Sequence, residues 1–445
     1  MRSMITQSPS CTRLFPMLAG LTLWSACALE GDIPEQEAEV ASALATGNVV
    51  TDWAAIAADA IVRPVEESTA LRTPGPSAML MAQVQLAVYD ALTSIYEYYE
   101  PFSFYTYASY YSSKEAAVAT AAYRILRTRV PGRAAFLDAK YATTMNAIAS
   151  GTSKTDGINL GEEAAAHYLS LRANDNIDNT YTWTQPTTGP GAFESTVAGA
   201  QPVDFKMINV PPFTFDILDT SAFFPAGPPA LTSSAYATAY NEVRSIGGAN
   251  STTRTEAQKQ LALWSAENPF RWASRNLTEL AVTKGLSRMD AARFFALAFT
   301  SIADAVQTGM SAKYYFSFWR PLHSIPRADT DNNASTVADT AWTPLLNVNH
   351  PEYPAGHGFV GAGSMVEAVR AYFGTDYVSW TLTTVGVTGL TQPSRSYTSL
   401  TALANDIKNA RIYGGLHYRF SVDAGQSQGR SVASYINYYY FQPWY

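Results

Sequence analysis

Apolar residues in this chain recur at helical spacing in block after block, and one long stretch, 174–230, breaks the rhythm. Before the break lie Ala78 to Tyr98, Lys114 to Arg129, Tyr141 to Ile148 and Gly161 to Arg172. After it come Ser233 to Ser245, Thr255 to Trp264, Arg271 to Thr283 and Ser287 to Ala312, where Ser287 and Asp290 make an N-terminal cap signal. A polar loop, 329–340, precedes the last helical runs, His357 to Phe373, Thr401 to Arg411 and Gly425 to Tyr439. The break holds Pro186, Pro190, Pro202, Pro211, Pro212, Pro225, Pro228 and Pro229 among aromatic residues, which predicts an irregular segment packed over the rest. A short β-like patch, 378–390, is too small to define a sheet. The expected fold is all-α: two helical bundles packed together, 49–230 and 231–445, joined by the Pro-rich segment.

With 47% hydrophobic and 15% charged residues, the chain can bury a sizeable core. A net charge of −7 gives no basic footprint for nucleic acid, so any cationic site must be a local arrangement. Residues 1–28 read as an export leader: Arg2 and Arg13 supply the basic part and Leu14 to Trp24 the apolar part. Trp24-Ser-Ala-Cys27 resembles a lipoprotein cleavage box, which would attach the chain to a membrane through a lipidated Cys27; ordinary cleavage after Ala28 fits as well. The chain is therefore expected to be exported, as an envelope lipoprotein or a free periplasmic or extracellular protein. Residues 29–48 read as an acidic tether, and no later segment reads as apolar and long enough to span a membrane. Cys11 and Cys27 are the only cysteines, so the chain beyond the leader has no disulfide, thiolate metal site or cysteine nucleophile.

Four of the five histidines, His323, His350, His357 and His417, fall after residue 320, and His167 stands apart on an earlier helix. Lys313 and Arg320 are seven apart, two turns along one expected helical face that Pro321 ends, with aromatic residues between them. Two such cations are costly to bury without an anion, although snorkelling side chains on an amphipathic helix would give the same spacing. Pro354-Ala355-Gly356-His357 opens a helical run, where a glycine lets backbone N–H groups approach an anion and His357 can exchange protons near neutrality. Arg411 and His417 do not share a face of an ideal helix, but Gly414-Gly415 between them can bend the backbone and bring both to one site. Arginine suits a tetrahedral oxyanion. His323 reads as a satisfied structural histidine.

Lys-x6-Arg-Pro, Pro-x-Gly-His and Arg-x5-His, in this order, resemble the signature of the type 2 phosphatidic acid phosphatase superfamily, which contains acid phosphatases and vanadium haloperoxidases. The chain is most similar to the bacterial secreted branch of the vanadium haloperoxidases. Val88-Tyr-Asp-Ala91, Pro228-Pro-Ala-Leu-Thr232, Tyr240-Asn-Glu-Val243, His350-Pro-Glu-Tyr-Pro-Ala-Gly-His357 and Arg419 extend the likeness to nearly everything from Trp53 onward. The resemblance implies a vanadium haloperoxidase-like helical fold with vanadate, or phosphate in its place, held by Lys313, Arg320, Ala355, Gly356, His357, Arg411 and His417. His417 would be the ligand to vanadium, His357 the acid–base group for hydrogen peroxide, and Lys313 a further catalytic cation. Halide would be oxidised to a hypohalous acid equivalent that acts on small organic acceptors. His350, where algal-type bromoperoxidases carry a second histidine, would line the halide pocket and implies bromide or iodide.

Three positions depart from the family pattern. Ala355 and Ala410 stand where the family has serine, and the aspartate four residues after the last motif histidine is Ser421, with Asp423 beyond it. Loss of the Ala355 hydroxyl is expected to alter oxyanion affinity by ~1–3 kcal/mol. In phosphatases that aspartate orients a nucleophilic histidine, so its displacement weighs against an acid phosphatase using His417. A non-catalytic oxyanion-binding lipoprotein is the third reading, against which stands the retention of both His357 and His417. The high aromatic content leaves room for a homodimer.

Overall fold

The computed structural model describes residues 47–61 and 73–444; the leader and nearly all of the tether lie outside them. The helices run α1 (Val49–Ile61), α2 (Pro74–Tyr96), α3 (Lys114–Arg129), α4 (Ala134–Asn146) and α5 (Thr152–Leu171), then α6 (Ser234–Ile246), α7 (Glu256–Trp264), α8 (Pro269–Thr283) and α9 (Arg288–Phe316). There follow a short α10 (Pro321–Ser324), a π-helix (Gly358–Met365), α11 (Val366–Phe373), α12 (Leu400–Tyr413) and α13 (Arg419–Tyr439). The chain is helical as expected. The 378–390 patch does form a strand, β1 (Trp380–Thr383), which pairs antiparallel with β2 (Ser394–Tyr397) as a small ribbon, because a partner segment lies beyond the patch.

Helix α9 is the axis of the molecule. The Ser287 hydroxyl caps it by accepting from the Asp290 N–H, and nearly every side chain from Met289 to Tyr314 is buried. A helix apolar all round belongs inside a protein, where it packs on α2, α13 and the π-helix. Helix α2 corrects the reading that no later segment could span a membrane: by length and composition it is long and apolar enough, yet its apolar window is wholly buried within the protein. Residues before and after the break at 174–230 contribute to one apolar core, and the described residues form one compact unit.

Buried carboxylates pin loops to these helices. Asp90 on α2 accepts from the Phe102, Ser103 and Phe104 N–H groups and from the Tyr168 hydroxyl, at 2.6–2.9 Å. Asp304 on α9 accepts from the Phe213 and Thr214 N–H groups and the Thr214 hydroxyl, which anchors the Pro-rich segment to the core. That segment is irregular, as expected, apart from two short 3₁₀ turns at Phe205–Asn209 and Ile217–Phe223.

The π-helix and α13 meet almost backbone to backbone. A Cβ on Gly429 would lie 2.0 Å from the Phe359 carbonyl oxygen, and one on Gly425 would lie 2.5 Å from that of Ala355. Only glycine permits this approach, and it sets the depth at which Gly356 and His357 enter the molecule. A π-helix starting at that point is the wider local winding often met at functional sites.

Candidate active site

Lys313 lies in the last turn of α9 and is completely buried; its Nζ donates to the carbonyls of Pro351 (2.9 Å) and Glu352 (3.1 Å). Arg320 is not on the same helix, which corrects the expectation of a shared face. Helix α9 stops at Phe316, and Ser317 takes a left-handed conformation with φ 44°. The chain then runs extended alongside Gly191–Phe193, and Arg320, preceding Pro321, is itself extended. Arg320 reaches the Lys313 neighbourhood by this reversal. Its guanidinium donates to the carbonyls of His350, Leu416 and Pro351 and meets His350 Nδ1 at 2.8 Å.

Gly356 and His357 open the helical run that becomes the π-helix, as the sequence indicated. The methyl of Ala355 is fully buried in a satellite cluster of aromatic and aliphatic side chains. Arg411 sits in the last turn of α12, 3% exposed, and donates through NH1 to the Ser265 carbonyl (2.9 Å) and hydroxyl (3.3 Å). Gly414 ends α12, and Gly415, at φ +73°, turns the chain so tightly that a Cβ there would lie 2.3 Å from the Gly247 carbonyl oxygen. This is the bend that carries His417 back beside Arg411.

His417 is 1% exposed, and its Nδ1 lies 2.9 Å from Glu352 Oε1, which also accepts from the Tyr418 N–H at 2.9 Å. Glu352 is completely buried and its Oε2 has no partner. Nδ1 therefore carries the hydrogen, and Nε2 is left as the lone-pair nitrogen available to a ligand. The His350 and His417 ring centres are 6.3 Å apart.

The charges fit an anion. Burial, then the Arg320 cation beside it, hold the Lys313 pKa well below the usual lysine range; Arg411 also adds to this. Burial takes Arg320 down to about 10, and burial together with Arg320 takes Arg411 down to about 9. The carboxylate facing them is Glu352, which burial pushes up to about 7 against the opposing pull of its hydrogen bonds and of Lys313 and Arg320. His417, His350 and His357 are all held well below their ordinary value, first by burial and then by the neighbouring cations. Buried Arg411 Nε has no partner, and a Cβ on Gly356 would meet nothing nearer than 3.9 Å, so a donor and a space are both present. A tetrahedral oxyanion would supply the missing negative charge.

The comparisons with known proteins agree with this geometry. Residues 293–443, which hold Lys313, Arg320, Gly356, His357, Arg411 and His417, match the VCPO second helical-bundle domain family. The last third of the chain is therefore similar to the second helical-bundle domain of that family. The vanadium chloroperoxidase of Curvularia inaequalis is 30% identical over 191 residues, 36% of this chain and 31% of that protein, so the match spans about a third of its length. In fold the chain is similar to a bacterial vanadium-dependent iodoperoxidase (TM-score 0.75, 19% identity, 90% of this chain and 98% of that one). A holo-type bacterial vanadium-dependent chloroperoxidase is also similar (TM-score 0.69, 15% identity, 89% of this chain and 97% of that one).

Two sequence readings need revision. The missing aspartate near position 421 does not leave the last histidine unsupported: Asp423 pairs with Lys408 at the surface, while Glu352 supplies the carboxylate on His417. That observation removes the argument drawn from Ser421 against a phosphatase. Arg419, a point of likeness in the sequence, pairs with Glu242 (2.6 Å) and Asn409 (2.7 Å), joining α13 to α6 and α12. His323 is not satisfied, since its buried Nδ1 has no partner. Glu352 is the functional residue that sequence reasoning passed over. Its signal was a lone carboxylate in a Pro-flanked run between His350 and His357. Ser265 acts through its backbone carbonyl, for which no sequence signal exists.

Proposed function

We propose that this chain is a vanadate-dependent haloperoxidase that uses hydrogen peroxide to oxidise halide, with bromide or iodide preferred, to a hypohalous acid equivalent. The reading is carried by His417, held through Nδ1 by Glu352, beside three buried cations that among the described residues face the buried carboxylate of Glu352. The vanadium haloperoxidase fold and the matched second-domain family support it over the acid phosphatase alternative. Vanadate, when bound, would supply a Lewis-acid centre that activates peroxide toward halide. Lys313, Arg320 and Arg411 would neutralise the oxyanion, Gly356 would give it room, and His417 would hold it. Burial, then the Arg411 cation, hold the His357 pKa well below the usual histidine range, so its neutral ring can take a proton from incoming peroxide. His350, against Arg320 and near His417, lines the halide approach.

Purified protein loaded with orthovanadate is expected to brominate and iodinate a phenol in the presence of peroxide. Hydrolysis of p-nitrophenyl phosphate without halogenation would instead support the phosphatase, for which Glu352 could orient His417 as nucleophile. Chloride turnover equal to bromide would remove the halide preference. Export through the 1–28 leader, with Cys27 as a lipid-attachment point, is part of the same proposal. Labelling of the full chain by a radioactive fatty acid in a bacterial host, lost in Cys27→Ser, is its test.

A further inference from the structure

A hypohalous acid consumes the sulfur of a protein surface first, because thiols and thioethers are its softest nucleophiles. This chain withholds sulfur. Every methionine among the described residues is buried, Met145 at 8% being the most exposed, and Cys11 and Cys27 both lie in the leader. The surface offers tyrosine instead. Between α2 and α3, Tyr107 is 82% exposed, Tyr111 83% and Tyr110 49%. One of these rings has an amine set over it. Lys114, the first residue of α3, holds its Nζ 4.0 Å from the centre of the Tyr110 ring and 5.6 Å from that of Tyr96.

Local structure fixes that placement. Ser113 caps α3 by accepting from the Ala116 N–H, and Lys114 Nζ donates to the Tyr110 carbonyl one turn back. The turn is tied to α5, where the Ser153 carbonyl accepts from the Ser113 N–H and the Ser153 hydroxyl donates to the Tyr111 carbonyl. Tyr96 stands edge to face with Tyr110 at 6.2 Å, and Glu115, next in the chain, pairs with Arg288 at 2.6 Å. A cation–π contact accounts for a lysine over a ring, but a lysine amine is also a nucleophile. We propose that the hypohalous acid made by this chain halogenates its own surface at Tyr110, with Lys114 as the relay. The proposal rests on the haloperoxidase reading. The unprotonated fraction of Lys114 attacks the halogen of hypohalous acid, forming the nitrogen–halogen bond as the halogen–oxygen bond breaks. Hydroxide leaves and takes the proton that the nitrogen gives up, as water. A Tyr110 ring carbon ortho to the hydroxyl then attacks that halogen, forming the carbon–halogen bond as the nitrogen–halogen bond breaks, and the ring proton returns to nitrogen. Lys114 is regenerated, and tyrosine and hypohalous acid yield halotyrosine and water.

Full-length, vanadate-free protein titrated with hypobromous acid and read by peptide mass spectrometry tests the relay directly. Tyr110 is expected to carry about threefold more bromine than Tyr107 or Tyr111, although both are more exposed, because a donor held over the ring acts at high effective concentration. Lys114→Arg keeps a cation over the ring, but its guanidinium stays protonated. This variant should lose most of the Tyr110 bromination, keep that of Tyr107, and melt at the wild-type temperature. Orthovanadate, bromide and peroxide in place of the reagent should give the same pattern, with triiodide formation from iodide equal in wild type and Lys114→Arg. Bromination that follows exposure alone, or a Tyr110 level unmoved by Lys114→Arg, would overturn the relay. Sulfoxide on Met145 ahead of bromotyrosine would overturn tyrosine as the acceptor. If orthovanadate, bromide and peroxide leave every residue unbrominated, the haloperoxidase reading fails, while the reagent titration still decides whether Lys114 passes halogen to Tyr110.

Discussion

Glu352 shows how one side chain sets the state of another. Its Oε1 fixes the proton on His417 Nδ1, and carboxylates in this position commonly change metal affinity about 10–100-fold when removed. Glu352→Gln keeps the shape but offers an amide, and is expected to raise the orthovanadate dissociation constant about tenfold or more and to shift the pH profile of halide oxidation. An unchanged profile with lowered stability would reduce Glu352 to a structural role. Ala355 is the second residue to test. Ala355→Ser restores a hydroxyl beside the oxyanion, worth ~1 kcal/mol when bonded to an anion and a cost when buried alone. Orthovanadate should bind Ala355→Ser roughly fivefold more tightly, while the anion-free variant melts slightly lower; equal affinity would show that the hydroxyl finds no partner there.

At the scale of elements, the position of His357 depends on how closely the π-helix lies on α13. The Gly429 Cα already abuts Phe359, and an added methyl would need backbone to move by more than a rotamer change. Gly429→Ala is expected to destabilise the fold by ~2 kcal/mol or more, in the range of overpacked cores, and to reduce halide oxidation along with it. Gly132→Ala, where a Cβ would meet nothing within 4 Å, is the control and should leave the melting temperature nearly unchanged. Equal behaviour of the two in calorimetry would show that the helix pair has slack. The Asp304 pin makes a similar point for the Pro-rich segment, because an irregular stretch stays packed only when its backbone donors find buried acceptors.

For the molecule as a whole, stability and binding oppose each other. Three buried cations are held at a cost until an anion arrives, and the depressed pKa of Lys313 records that cost. Lys313→Met should raise the anion-free stability by ~1–4 kcal/mol, the range found when buried charges give way to apolar side chains. It should also abolish stabilisation by orthovanadate, which for the wild type amounts to ~2.7 kcal/mol at a concentration a hundred times the dissociation constant. Thermal melts with and without orthovanadate check both parts. A variant less stable than wild type in the absence of anion would show that the carbonyl contacts of Lys313 outweigh its burial.

The helical class, the irregular break and the residues that the candidate site gathers were legible in the amino-acid order. Periodicity reports burial of one helical face, and a cation, glycine or histidine at a helix end carries its chemistry in its own side chain. The Ser287 cap and the Gly414-Gly415 bend belong with these, being local devices. Other features needed the tertiary structure. Arg320 leaves the helix because Ser317 turns left-handed where the chain pairs with Gly191–Phe193, a contact between segments far apart in sequence. Glu352 acquires its role only when the bend after α12 brings His417 to it, and Arg419 finds Glu242 on α6, far away in sequence. Helix α2 has a membrane-compatible composition, and only the helices around it make it a core element. Sequence determines what each residue is able to do within its own turn of chain; partners at long separation decide which of those abilities is used, because a buried charge or donor is governed by whatever packing places within hydrogen-bonding distance.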